Sequence, residues 1–245
     1  MNHSADIFTD LHHYEKVKQI FNQIAYRYDL ANTLMSFGLH NYWRSQLMRR
    51  TRVFKGNSAL DVCCGTGSIT MDLAKLVGSS GRVIGVDFSE KMLTIAEKRF
   101  INHPNRPTVK FVQANAEKLP FSDNTFDCVT IGYGLRNVSN LIQVLEELKR
   151  VVKPGGVVLS LEMAKPASPI FKNLYRIYLK NWIPFIGKIL VHNESAYQYL
   201  HDSIQSFPHP DRITQFFNET GFYDTHCIPL SWGIVAIHCA HKNLI

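Results

Sequence analysis

Gly65, Gly67 and Asp87 are the first residues whose types and spacing suggest chemistry. Glycines in a tight turn let a backbone approach a ligand closely. A carboxylate at the tip of the following strand can accept hydrogen bonds from both hydroxyls of a ribose. The dinucleotide pattern G-x-G-x-x-G is incomplete, because Thr70 stands where the third glycine belongs. A nucleoside without a pyrophosphate needs no such cradle. That points away from NAD and toward S-adenosylmethionine (SAM), which offers an adenosine, a sulfonium and an amino acid but no phosphate. A second group is Arg136-Asn137, in the Gly132–Asn137 run that directly follows an apolar strand. Loops beyond strand C-termini are where open α/β sheets bind ligands. Arg136 could act there on a substrate or pair with a structural carboxylate. Asn137 could do chemistry or cap the next helix.

The elements that must position these residues can be read from periodicity. Ala59–Cys63 is a short apolar run, Ser68–Val77 an amphipathic helix, and Arg82–Val86 a second strand ending in Asp87. Ser89 can cap a helix through Phe100. Val109–Ala114, Phe126–Ile131 and Val157–Leu161 read as further strands, the last tipped by Glu162. A helix is expected over Ser139–Val152, stopped by Lys153-Pro154-Gly155-Gly156, and a final helix over Asp211–Thr220. Tyr223–Pro229 and Ile234–Ala240 should pair as an antiparallel hairpin.

Upstream, Met1–His13 reads as a loosely ordered polar arm. Val17, Ile20, Phe21, Ile24 and Tyr28 then fall on one helical face. The aromatic and polar stretch that follows is either a cap on the domain edge or a flap over the ligand, with Tyr28 and Asp29 facing it. Between Pro166 and Pro210 the alternation breaks. Phe171, Leu174, Tyr175, Tyr178 and Trp182 share one helical face, with Lys172, Asn173, Arg176 and Lys180 on the other. Such a helix can lie in a membrane interface or pack on its own domain. The chain divides into an N-terminal helical cap (1–56), a nucleoside-binding core (57–165), a helical lid or insert (166–210) and a C-terminal helix with hairpin (211–245).

Composition bounds the function. The chain has 245 residues, 45% of them hydrophobic and 19% charged, with a net charge of +7. That fits one globular domain. Its basic residues are spread out, without a long Lys/Arg run, which argues against a nucleic-acid module. The five cysteines form no disulfide framework and fit a reducing compartment. No signal peptide and no membrane-spanning run of ~18 apolar residues are evident. His238-Cys239-Ala240-His241 is the closest approach to a metal cluster, but paired ligand motifs are missing, so no metal is expected.

Taken together, these elements resemble the class I SAM-dependent methyltransferase fold: a mostly parallel, Rossmann-like seven-stranded α/β sheet with helices on both faces and a terminal antiparallel hairpin. More narrowly, Tyr28-Asp29, Met35–Gly38, Ala114–Glu117, Asp123–Asp127, Gly134–Val138, Lys153–Gly156, Tyr199-Leu200 and Gly233–Ala236 resemble the ubiquinone/menaquinone biosynthesis C-methyltransferase family. The likeness runs from about Phe21 to Lys242. It implies SAM as cofactor, contacted by Cys64-Gly65-Thr66-Gly67, Asp87-Phe88, Asn115-Ala116 and the Gly132 position. It implies a polyprenylated quinol as acceptor, with Arg136, Asn137, Tyr28 and Asp29 as catalytic candidates. Many members carry a Ser where Gly132 stands, and Cys63 replaces the first glycine of the broader pattern. A cytoplasmic location follows, with room for peripheral contact at the inner membrane face and for a homodimer. Another small lipid-like acceptor remains the alternative.

Overall fold

The computed structural model describes residues 3–104, 106–166, 171, 175–182, 186 and 194–244. Its centre is a seven-stranded sheet in the order β3-β2-β1-β4-β5-β7-β6. The strands are β1 (Ser58–Val62), β2 (Arg82–Asp87), β3 (Val109–Gln113), β4 (Phe126–Gly132), β5 (Val152–Met163), β6 (Tyr223–Leu230) and β7 (Val235–His241). β1 to β5 run parallel, and β7 lies antiparallel between β5 and β6. The expected terminal hairpin is therefore present.

Both faces of the sheet are covered. α3 (Leu39–Met48), α4 (Ser68–Val77) and α5 (Glu90–Phe100) build one layer, with Trp43, Leu47, Ile69, Leu73 and Phe100 in its core. α6 (Leu141–Val151) and a later helix, Pro210–Glu219, build the other through Val144, Leu145, Leu148, Ile213 and Phe217. Removing such side chains from water is the main stabilising contribution, about 1.5–3 kcal/mol each. Ser89 caps α5 by accepting from the Met92 amide at 3.2 Å.

Three sequence expectations need correction. The arm is helical from His3, where α1 (His3–Ile24) begins. α6 starts at Leu141, not Ser139, because the Ser139 and Asn140 amides both donate to Glu117 Oε1 (2.8 and 2.9 Å), which holds them outside the helix. Asn140, not Asn137, then caps it by accepting from the Gln143 amide. β5 starts at Val152, so Lys153–Gly156 lies within the strand, at an irregularity in its pairing with β4.

A buried carboxylate lies in the sheet itself. Asp61 on β1 is fully buried and accepts from Thr70 Oγ1 (2.6 Å) and Thr130 Oγ1 (2.9 Å). Burial pushes its pKa up to about 7, outweighing the two hydroxyl donors. The folded state therefore holds this proton at pH values where the unfolded chain has lost it. Its contribution is fully present below about pH 4 and is lost as pH rises through 7, on the order of 4 kcal/mol. Asp61→Asn should flatten that decline. Urea midpoints at pH 5 and pH 8 check it, and an unchanged slope would count against a protonated Asp61.

Candidate active site

The carboxyl ends of β1, β2, β4 and β5 meet on one edge of the sheet, where β2 and β4 diverge on either side of β1. A crevice must open at such a switch point. Two adjoining cavities lie there.

The first is a narrow cleft lined by Asp87, Phe88, Asn115, Ala116 and Asn137. Asp87 is 5% exposed, and its two oxygens accept from the Gly65 and Ser89 amides, each at 2.8 Å. Each oxygen keeps lone-pair capacity for one further donor, as a ribose diol requires. Burial raises its pKa to about 6, although the backbone donors pull it down. Gly67 has φ +81°, and a Cβ there would crowd Ala96 and Phe111 at 3.2 and 3.3 Å. It shapes the turn without lining either cavity. Sequence reading missed that α1 roofs this cleft. Tyr14, Val17 and Phe21 line it, Tyr14 packs on Phe88 with ring centroids 5.4 Å apart, and Asn22 receives a hydrogen bond from Ser89 Oγ. The signal was the stripe of Val17, Ile20 and Phe21, whose facing partner only the fold reveals.

The second cavity, about 710 Å³, opens between the N-terminal helices and the segment around Tyr175–Trp182. α2 (Tyr28–Met35) and α3 form one wall, with Phe171, Tyr175, Tyr178 and Leu179 opposite. Arg136, Asp29, Cys64 and Thr66 line this cavity and not the cleft. Tyr28, Cys63, Gly65, Gly132 and Tyr133 line both, so these five form the passage between them.

Cys63 has φ +55°, the left-handed conformation that glycine adopts at little cost. Its side chain fills the space a Cβ on Gly134 would need, with contacts at 2.7 and 2.8 Å. At Gly132, Ile69 Cδ1 stands 2.3 Å from where a Cβ would go. A serine there would have to displace Ile69.

Arg136 forms a buried ion pair with Glu162 at the tip of β5 and donates to the Tyr133 carbonyl at 2.9 Å. Burial opposes its charge, but Glu162 and nearby tyrosines more than compensate, so the pKa rises above the usual arginine value. Arg136 is therefore a fixed cation. Asn137 donates to the Tyr133 carbonyl at 2.9 Å and accepts from Tyr199 Oη at 3.0 Å. The Tyr28 phenol is pushed up by burial, with Arg136 and Asn32 pulling it down.

Asp29 lines the second cavity with both of its carboxylate oxygens already engaged. One oxygen accepts from Thr66 Oγ1 at 2.7 Å and the other pairs with Arg99 at 3.0 Å, with the side chain 48% exposed. Arg99 also donates to the Thr66 carbonyl. These bonds tie α2 to the Gly-rich turn and α5.

The helix expected over 170–182 lies partly outside the described residues, Leu174, Lys172 and Asn173 included. Its described aromatic residues pack on the protein. Phe171 stacks on Trp232 and Trp182 on Phe37, Tyr178 Oη donates to the Met35 carbonyl at 2.7 Å, and Trp182 Nε1 reaches the Leu34 carbonyl at 3.4 Å.

The reversed seventh strand, the Gly-rich turn after β1 and the acid ending β2 define a class I SAM-dependent methyltransferase. The crystal structure of a SAM-dependent methyltransferase from Aquifex aeolicus matches with a TM-score of 0.59 at 19% identity, over 80% of this chain and 88% of that one. A Haemonchus contortus phosphoethanolamine N-methyltransferase solved with S-adenosylhomocysteine gives 0.60 at 19% identity, over 84% of this chain and 53% of that one. The chain belongs to the ubiE/COQ5 methyltransferase family, whose profile matches residues 9–242. Among its relatives, the demethylmenaquinone methyltransferase of Halalkalibacterium halodurans is 45% identical over 94% of this chain and 93% of its own length. That of Staphylococcus aureus is 41% identical over 94% of each chain.

Proposed function

We propose that this enzyme transfers the SAM methyl to a ring carbon of a polyprenylated quinol, with demethylmenaquinol as the acceptor. The carrying observation is the second cavity: apolar-walled, large enough for a fused ring, joined to the cleft around Asp87 and holding a buried cation. The relatives' names favour the naphthoquinol. The methoxy-benzoquinol step of ubiquinone synthesis is the second acceptor to test, because the same walls accommodate a smaller ring. Bound SAM supplies an electrophilic methyl, and the protein supplies the rest.

A ring carbon is a weak nucleophile until the adjacent hydroxyl ionises. A phenol near pKa ~10 is ionised about one part in a thousand at pH 7, a penalty of about 4 kcal/mol. Arg136 stays protonated and so stabilises the oxyanion instead of taking the proton. Glu162 holds the guanidinium in place, and Asn137, held by Tyr199 and the Tyr133 carbonyl, orients the acceptor or a water that carries the proton away. Tyr28 walls the passage. SAM held in the cleft would supply the methyl and keep the bonding pair on its sulfur, the ring's pair would form the carbon–carbon bond, and the ring C–H proton would leave to restore aromaticity. Asp87 takes the ribose, with Phe88 and Asn115-Ala116 around the nucleoside and Gly65 and Gly132 letting the donor reach the passage. Asp29 and Thr66 act as a latch on α2, since both are already engaged with each other and with Arg99.

Incubation with labelled SAM and each demethylated quinol should label the naphthoquinol on ring carbon. Labelling of neither quinol would refute the acceptor class.

Membrane contact is part of the same reading. Among the described residues, no helix is long and apolar enough to cross a bilayer. Phe37, Leu39 and Trp232 line the acceptor cavity yet are 67%, 42% and 70% exposed, and Leu34 on α2 is exposed too. An apolar rim at the cavity mouth suits a tail still partly in lipid. Phe37→Glu should cut liposome co-sedimentation several-fold and raise KM for vesicle-embedded quinol, but not for a short-tailed soluble one. Equal effects on both would contradict the contact. Sedimentation without lipid reads whether a homodimer forms.

A further inference from the structure

The acceptor cavity collects donors that no described residue satisfies. The Tyr133 hydroxyl, the Tyr175 hydroxyl and Nε of Arg136 are shielded from solvent and have no hydrogen-bond partner among the described residues. All three side chains line this one cavity. The other buried side chains in that condition, Ser160, Thr225, His238 and His241, line neither cavity. A buried polar group left unpaired costs about 1–3 kcal/mol, and folded proteins leave few of them.

Each of the three is held firmly by contacts that leave its polar tip unused. The Tyr133 carbonyl accepts from both Arg136 and Asn137, and the guanidinium carbon lies 5.7 Å from the Tyr133 ring centroid. The Tyr175 ring stacks on Tyr178 at 5.8 Å and 14°, and Tyr178 is fixed through its bond to Met35. By contrast, Tyr178 and Tyr199 have spent their hydroxyls on protein partners. Burial raises the pKa of both Tyr133 and Tyr175, so each hydroxyl keeps its proton and can act as a donor. Their places differ. Tyr133 borders the passage to the methyl donor, whereas Tyr175 lines the acceptor cavity alone.

We propose that Tyr133 and Tyr175 read the two oxygens of the acceptor ring, one each. Tyr133, with Nε of Arg136, donates to the oxygen beside the carbon that is methylated. Tyr175 donates to the oxygen on the opposite edge, beside the prenyl-bearing carbon. This assignment rests on the quinol reading above and sharpens it: the site selects a para-dihydroxy ring. A ring with one oxygen leaves the Tyr175 hydroxyl buried and unpaired.

The test compares 2-prenyl-1,4-naphthoquinol with 3-prenyl-1-naphthol, which keeps the oxygen beside the reacting carbon and lacks the far one. The wild type should disfavour the naphthol about tenfold in kcat/KM, the worth of one hydrogen bond. Tyr175→Phe should raise KM for the quinol about tenfold and leave the naphthol unchanged, so that the two acceptors become equivalent. Tyr133→Phe should lower kcat about a hundredfold on both acceptors. It should also move the rising limb of the kcat profile to higher pH, because the ring hydroxyl loses a donor that favoured its ionised form. A loss at Tyr175→Phe that is equal on both acceptors, or absent on both, overturns the assignment. So does a fall in kcat at Tyr133→Phe without movement of the limb. A wild type that methylates neither ring overturns the acceptor reading and the assignment together. A wild type active on the quinol, with a Tyr175→Phe variant that still disfavours the naphthol about tenfold, overturns the assignment alone.

Discussion

Arg136→Ala should lose methyl transfer by about a thousandfold while SAM binds as before. Removing one neutral oxyanion donor costs about 10²–10³ in kcat, and here the donor is charged and buried. SAM affinity should hold because Arg136 lines the acceptor cavity and not the cleft around Asp87. The variant should also be less stable. It strands Glu162, whose side chain is 2% exposed, without its cation, and breaking a buried pair costs about 3–5 kcal/mol. Stability and catalysis can be separated. Replacing both partners with apolar residues, Arg136→Met with Glu162→Leu, should recover most of the stability and none of the turnover. Thermal melts, SAM calorimetry and single-turnover rates on the three proteins supply the comparison. Wild-type turnover in Arg136→Ala, or recovery of activity in the double variant, would remove the cation from the mechanism.

Asp87→Ala should weaken SAM binding by two to three orders of magnitude. Two hydroxyl donors to a buried carboxylate are worth about 1.5–3 kcal/mol each, and the alanine also leaves the Gly65 and Ser89 amides without their acceptor. The wild type should show a pH dependence that the variant lacks. Hydroxyl donors favour the ionised carboxylate, so binding lowers the Asp87 pKa from about 6 and releases a proton wherever the free enzyme still carries one. Affinity should therefore be constant above pH 7 and fall as the pH drops through 6, by up to about tenfold per pH unit. Calorimetry at pH 5, 6 and 7.5 reads both effects. Equal affinity for wild type and variant, or a variant that keeps the acid limb, would place the ribose elsewhere.

The donor half of the site was legible in the sequence because its information is local. A strand, a Gly-rich turn and an acid-tipped strand lie within Asn57–Asp87, and hydrophobic periodicity places each. The acceptor half depends on contacts between distant segments. Arg136 follows β4 and Glu162 ends β5, and their pairing follows from the register that sets Gly132 beside Leu161. Tyr175 reaches the same cavity from beyond β5, and nothing in its local pattern distinguishes a ring that contacts substrate from one that fills a core. Asn137 offered itself as a cap for the next helix, but Glu117 across the loop holds Ser139 and Asn140 outside it and leaves the cap to Asn140. Asp29 drew attention through its neighbour Tyr28, but its two oxygens were already committed to Thr66 and Arg99, 37 and 70 residues away.

A crystal structure with S-adenosylhomocysteine and a short-tailed demethylmenaquinol bound would test the two-cavity arrangement most directly. The ribose diol should rest on Asp87, the sulfur should face the passage between Tyr28, Cys63 and Tyr133, and the unmethylated ring carbon should lie opposite it with the neighbouring oxygen toward Arg136. Adenosine bound away from Asp87, or a quinol ring outside the cavity that Arg136 lines, would contradict it.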